Sequence, residues 1–104
     1  MSLPKSLKIF GQKFKVKVTN LNGFLGLCDR STSTIYIEVD QTTEEKWHTL
    51  LHEIGHAIIG RVGITQAISP EIEEVIVEAL ASGLMENLDV AVKGSMPPPV
   101  KSIS

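Results

Sequence analysis

Cysteine is almost absent from this chain. A single Cys28 among 104 residues excludes an internal disulfide and fits a reducing compartment. Long apolar runs are missing as well: none approaches the roughly 20 residues needed to span a bilayer. The N-terminus carries lysines but no apolar core of the secretory type, so a cytoplasmic location is expected. Net charge is only −2, which favours no charged partner overall. Only three histidines are present, and that scarcity limits how any metal site could be built. No internal repeat or second domain is visible. The expectation is one domain over residues 1–93, followed by a Pro-rich C-terminal tail over 94–104.

What is present changes period near the middle. Residues 7–18 read as two short strands around Gly11-Gln12, with Phe14, Val16 and Val18 alternating with Lys13, Lys15 and Lys17. Those lysines predict a solvated strand face rather than a nucleic-acid surface, for which no matching motif exists. Asn20 to Gly23 signals a turn, residues 24–28 a weaker strand, and Asp29 to Ser33 a polar connection. Residues 34–40 (TIYIEVD) give the clearest strand, with Ile35, Ile37 and Val39 on one side. Thr42-Thr43-Glu44-Glu45 then resembles a capping box opening a helix over about 43–61, with Gly63 as its stop. Trp47, Leu50, Leu51, Ile54 and Ile58 form its expected apolar stripe. Gly55 in mid-helix costs about 1 kcal/mol against alanine, so another backbone is expected to pack there, or the site needs room. Ser69-Pro70-Glu71 starts a second helix to about residue 88, with Ile72, Val75, Ile76, Ala79, Leu80, Leu84 and Leu88 as its stripe. The predicted fold class is α+β and zincin-like: a small antiparallel or mixed sheet of three to four strands packed on two main helices.

The chemistry is concentrated in His52-Glu53-Ile54-Gly55-His56. Residues four apart share a helix face, so His52 and His56 can turn two imidazoles toward one metal ion. Glu53, beside the first of them, can reach a water on that ion. This H-E-x-x-H spacing is the signature of zinc peptidases. By chance the motif could be only two surface histidines and an acid, but here it lies in a capped helix flanked by apolar residues.

A catalytic zinc usually takes three protein ligands and leaves one position to water. His48 lies on the same helix, and His48 to His56 span about 12 Å of rise, too far for all three histidines to meet one ion. The metzincin extension is excluded because Ile59 and Val62 stand where Gly and His would be needed. The third ligand must be an acid or Cys28. Glu71, Glu73 and Glu74 occupy the first turns of the second helix, where negative charge favours the helix dipole and faces solvent. Glu78 sits in the apolar run Val75-Ile76-Val77-Glu78-Ala79-Leu80-Ala81, where an unpaired carboxylate is costly. Glu78 is therefore the expected third ligand, with Glu74 one turn earlier on the same face as its alternative. In this reading Glu53 takes a proton from the attacking water and passes it to the leaving amine. Tyr36 and His48 are the side-chain candidates for donating to the oxyanion, and the TIYIEVD strand could align a peptide if it is a free edge.

The order of a small sheet, a TIYI strand, an LLHEIGHAI helix and a VEALASGL helix resembles the ImmA/IrrE-type metallopeptidase family, its short phage-borne or prophage-borne members most of all. The resemblance implies Zn2+ as cofactor, His52, His56 and Glu78 as its ligands, and Glu53 as the catalytic glutamate. It also implies an intracellular protein substrate such as a transcriptional repressor of phage or mobile-element genes, in the cytoplasm of a bacterial or phage-infected cell. The competing reading is a zinc-containing module that binds such a protein without cutting it. Glu53 favours the enzyme, because a purely structural site has no use for a general base.

Overall fold

The computed structural model describes residues 2–63 and 66–93. The expected tail over 94–104 lies outside the described residues. Strand β1 (Ser6–Ile9) turns through Phe10 and Gly11, both at positive φ (49° and 82°), into β2 (Gln12–Thr19). Two left-handed residues in a two-residue loop match the right-handed twist of the hairpin they close. The alternation predicted for β2 holds through Phe14 and Val16, which are buried between the exposed Lys13, Lys15 and Lys17, but fails at Val18, which is exposed. Strand β3 (Gly26–Asp29) follows a turn with Asn22 and Gly23 at positive φ. The Asp29 carboxylate then accepts from the Ser31 and Thr32 N–H groups and the Ser31 hydroxyl, which turns the chain into β4 (Thr34–Glu38).

The sheet is mixed, in the order β1-β2-β4-β3, with β2 and β4 parallel and the outer pairs antiparallel. Residues 20–33 form the crossover a parallel pair requires, and they place β3 outside β4. The TIYIEVD strand is therefore central, paired on both sides, and cannot be the free edge. The edges are β1 and β3, and β3 is the one that borders the cleft.

Helix α1 (Thr43–Val62) opens with the capping box formed: the Thr42 hydroxyl accepts from the Glu45 N–H, and the Glu45 carboxylate accepts from the Thr42 N–H. It closes at Gly63, left-handed at φ 77°, whose N–H donates to the Ile59 carbonyl. Leu50 and Ala57 join Ile35, Ile37, Phe14, Val16 and Ile9 in the core, with Trp47 and Ile54 packed at its margin. Ile58, expected in the stripe, is partly exposed.

Helix α2 (Pro70–Lys93) starts as predicted, with the Ser69 hydroxyl accepting from the Ile72 N–H. It packs mainly on α1 rather than on the sheet. Its expected stripe is corrected. Ile72, Val75, Ile76, Leu80 and Leu84 are exposed, and the buried row is Val77, Ala81 and Met85. Apolar residues surround most of this helix, so hydrophobic period alone could not fix which side faces inward. Among the described residues, no helix is long and apolar enough to cross a membrane.

Candidate metal centre

Two helices and one strand build the site. α1 carries His48, His52, Glu53 and His56, and α2 carries Glu73, Glu74 and Glu78 opposite them. The helices approach closely because Gly55 has no side chain: a Cβ there would lie 3.0 Å from Cγ1 of Val77. What fills the space at Gly55 is thus a buried side chain, not the backbone expected.

At the centre, Nε2 of His52 and Nε2 of His56 are 3.2 Å apart. Both face Glu74, whose Oε2 is 3.1 Å from His52 Nε2 and whose Oε1 is 2.8 Å from His56 Nε2. His52, His56 and Glu74 each offer one ligand atom within 4.8 Å of the others, so the three could hold a metal ion. The outward nitrogens are also engaged. Nδ1 of His52 lies 2.9 Å from Glu78 Oε1, and Nδ1 of His56 lies 2.5 Å from Glu73 Oε2. Each imidazole thus has a carboxylate at both ring nitrogens, and the tautomer with N–H at Nδ1, donating outward, is the one that would leave Nε2 open to a metal.

Glu78 therefore sits on the far nitrogen of His52, not between the histidines. Its side chain is 51 % exposed and also meets His48 Nε2 and the Ser82 hydroxyl, each at 3.0 Å. Burial alone would raise its pKa, but the hydrogen bonds from His52, Ser82 and His48 outweigh it and hold the carboxyl below the ordinary carboxylate value. The argument from an embedded acid is corrected, because the apolar neighbours Val75, Ile76 and Leu80 are themselves exposed. Glu73 and Glu74 are not simply solvated first-turn acids: both turn toward the histidines, and the Glu73 side chain is only 13 % exposed.

Glu53 is buried at the base of the cleft, and burial pushes its carboxyl above the ordinary range, while His56 and His52 pull it back. Strand β3 comes directly against it, since a Cβ on Gly26 would stand 2.5 Å from Thr49 Cγ2 and 3.0 Å from Glu53 Oε2. The open cleft runs from Gly26 and the exposed Phe24-Leu25 lip past His48 and His52 to Glu74 and Glu78. Tyr36 does not reach it. Alternation puts Tyr36 on the sheet face opposite the core residues Ile35 and Ile37. Cys28 points toward the core margin and is outside the donor cluster.

Arg30, in the polar connection after β3, joins the site unannounced by any motif: its Nη2 donates to the main-chain oxygen of His56 at 2.8 Å and lies 3.7 Å from Glu73 Oε2. The signal in the sequence was Gly60, a second mid-helix glycine one turn after His56.

A mixed sheet backed by two helices, with two imidazoles and a carboxylate converging between those helices beside a buried acid, defines an α+β domain with a candidate metal site. The chain matches the peptidase M78 family, described as the IrrE N-terminal-like domain, over residues 5–87, and it belongs to that family. The ImmA/IrrE-type resemblance of its motifs is thereby borne out. No curated protein and no solved structure matches the chain.

Proposed function

We propose that this protein is a zinc-dependent peptidase in which His52, His56 and Glu74 are the metal ligands and Glu53 is the general base. The observation that carries this reading is the convergence of two Nε2 atoms and one carboxylate beside a buried Glu53. Bonds of about 2.0–2.1 Å in a tetrahedral site put zinc ligand atoms about 3.3 Å apart. The two Nε2 atoms stand 3.2 Å apart, and one carboxylate oxygen of Glu74 completes a set within 4.8 Å, so two imidazoles and a carboxylate suit the ion in chemistry and lie near the spacing it needs. Glu78 then serves from outside, accepting the Nδ1–H of His52 and fixing its ring.

A bound zinc would polarise a substrate carbonyl and acidify water in the cleft. Glu53 accepts the proton of the attacking water at its carboxylate and returns it to the departing amine nitrogen. His48, on the cleft wall one turn before His52, is our candidate donor to a developing oxyanion, a role for which its Nε2 would have to leave Glu78. Strand β3 offers the extended substrate a rail. The Glu38 N–H donates to the Leu25 oxygen at 2.8 Å, so in alternating register the polar groups of Gly26 and Cys28 face away from β4. An added strand would run past Glu53 with its side chains against Phe24 and Leu25. An intracellular protein, with a transcriptional repressor as first candidate, is the proposed substrate.

The test combines elemental analysis with proteolysis. One zinc per chain is expected in wild type and in Glu78→Gln, and little in Glu74→Gln. Cleavage of the repressor encoded beside the gene should be abolished by Glu53→Gln with zinc retained. Cleavage that survives in Glu53→Gln would remove Glu53 as the base. Zinc binding without cleavage of that repressor or of a mixed peptide library would favour the non-catalytic module.

A further inference from the structure

Helix α1 carries a second glycine that the site so far leaves unexplained. A Cβ on Gly60 would lie 2.4 Å from Nε and 2.6 Å from Cζ of Arg30, because the arginine side chain lies directly across the helix at that turn. From there Nη2 of Arg30 donates to the His56 carbonyl at 2.8 Å and stands 3.7 Å from Oε2 of Glu73. The same Oε2 is 2.5 Å from Nδ1 of His56. One guanidinium thus spans from the end of β3 over α1 to the first turn of α2. It touches both the backbone of His56 and the carboxylate that holds its ring.

We infer that Arg30, Gly60 and Glu73 form a positioning device for His56, fixing the tautomer and the ring direction that leave Nε2 free for a metal. The inference rests on the proposed assignment of His56 as a ligand. A first-turn acid that served only the helix dipole would point to solvent. Glu73 is instead nearly buried and aimed at one imidazole nitrogen, and its partner on the other side is a residue that cannot reach without a glycine beneath it. An acceptor at the outward nitrogen of a ligating histidine sets the tautomer and raises the basicity of the inner one, and its loss typically weakens metal binding by about 10–100-fold. Gly60 contributes through Arg30: any side chain there displaces the guanidinium, and with it the clamp on Glu73.

Zinc affinity, measured on the full chain by competition with a chromophoric chelator, tests this, with the thermal midpoint of the metal-free protein recorded alongside. Glu73→Ala should bind zinc about 10–100-fold more weakly, and Glu73→Gln, which restores an acceptor, should recover part of the loss. Gly60→Ala should weaken zinc binding while leaving the metal-free midpoint unchanged or higher, since alanine favours the helix. In an Arg30→Ala background, adding Gly60→Ala should weaken affinity no further, because no guanidinium remains to be displaced. A merely structural role would move midpoint and affinity together. If wild type binds one zinc and Glu74→Gln abolishes it, yet Glu73→Ala and Gly60→Ala bind as tightly as wild type, the positioning role is overturned and the ligand assignment stands. A wild-type chain that binds no zinc overturns both.

Discussion

Gly55 of α1 and Val77 of α2 face each other between the two helices, where a Cβ on the glycine would meet Val77 Cγ1 at 3.0 Å and Cγ2 at 3.3 Å. Val77 is fully buried. This contact sets how far α2 stands from the histidines. Val77→Ala should destabilise the protein by about 2 kcal/mol through lost burial and a residual cavity. Introduced into that variant, Gly55→Ala should recover part of the loss, because the space is then open and alanine favours a helix by about 1 kcal/mol. In wild type the same Gly55→Ala must push Val77 aside and should gain less, or lose. Urea unfolding of the four proteins measures this coupling, and strictly additive effects would refute the steric reading.

Glu38 gives an acid-side prediction. Its carboxylate accepts from the Leu21 N–H at 2.7 Å and the Asp40 N–H at 2.8 Å, and these backbone donors hold its pKa below the ordinary value. A carboxyl depressed in the folded state contributes stability that is fully present above its unfolded pKa, about 4.3. That contribution is lost as pH falls through the lower folded value. Glu38→Gln should therefore be less stable than wild type at neutral pH. The gap between the two proteins should narrow steadily below about pH 4.5. Thermal midpoints from pH 7 to pH 3 give the comparison, and a gap that widens toward acid would contradict the assignment.

Much of this fold was legible because its local signals were strong. Lysines alternating with Phe14, Val16 and Val18, the Thr42–Glu45 box, Gly63 and Ser69-Pro70 each have a single cheap structural solution. Two things could not be read from local pattern. The parallel β2–β4 pairing depends on where β3 goes, and nothing in the period-2 alternation of either strand encodes a neighbour. The inward side of α2 was hidden because Val75, Ile76, Val77, Ala79, Leu80 and Ala81 make it apolar nearly all round. The candidate site shows the same division. Spacing alone placed His52, Glu53 and His56 together, whereas the choice between Glu74 and Glu78 depends on the sliding register of α2 along α1. Residues one turn apart differ by 5.4 Å along the helix, and that register, which no local pattern encodes, is what brings Glu74 rather than Glu78 to the two Nε2 atoms. Arg30 carried no motif, because its partners, the His56 carbonyl and Glu73, lie on other elements, and only the mid-helix Gly60 hinted at it.

Cys28 should be chemically quiet. Burial first, and then the negative charge of Glu53, push its thiol up to about 11, against a smaller opposing pull from Arg30. Against its ordinary value of 9.0, that leaves roughly a hundred-fold less thiolate at neutral pH. Alkylation by iodoacetamide at pH 7.5 should be slower than for free cysteine by about two orders of magnitude. The ordinary rate should return in 8 M urea, a concentration on the order of full unfolding for a small domain. Because Cys28 lies outside the donor cluster, Cys28→Ser should also leave zinc stoichiometry unchanged. Fast alkylation of the native protein, or loss of zinc in that variant, would place the thiol in the site after all.

The metal should also act as a folding ligand. The proposed ligands come from two different helices, so a zinc bound only by the folded chain would tie α2 to α1. At a free zinc concentration about 100 times its Kd, the stabilisation is about 2.7 kcal/mol. For a domain of this size, that raises the thermal midpoint by roughly 10–20 °C. Glu74→Gln should lose most of that rise. Glu78→Gln keeps both Nε2 atoms and Glu74 and exchanges only the charged acceptor on His52 Nδ1 for a weaker amide oxygen, so its affinity should fall by no more than about tenfold. At the same zinc concentration the stabilisation then drops by no more than about 1.4 kcal/mol, and at least roughly half the rise should remain. Scanning calorimetry of the three proteins with and without zinc separates these cases. A full rise in Glu74→Gln, with none in Glu78→Gln, would reverse the roles of the two glutamates.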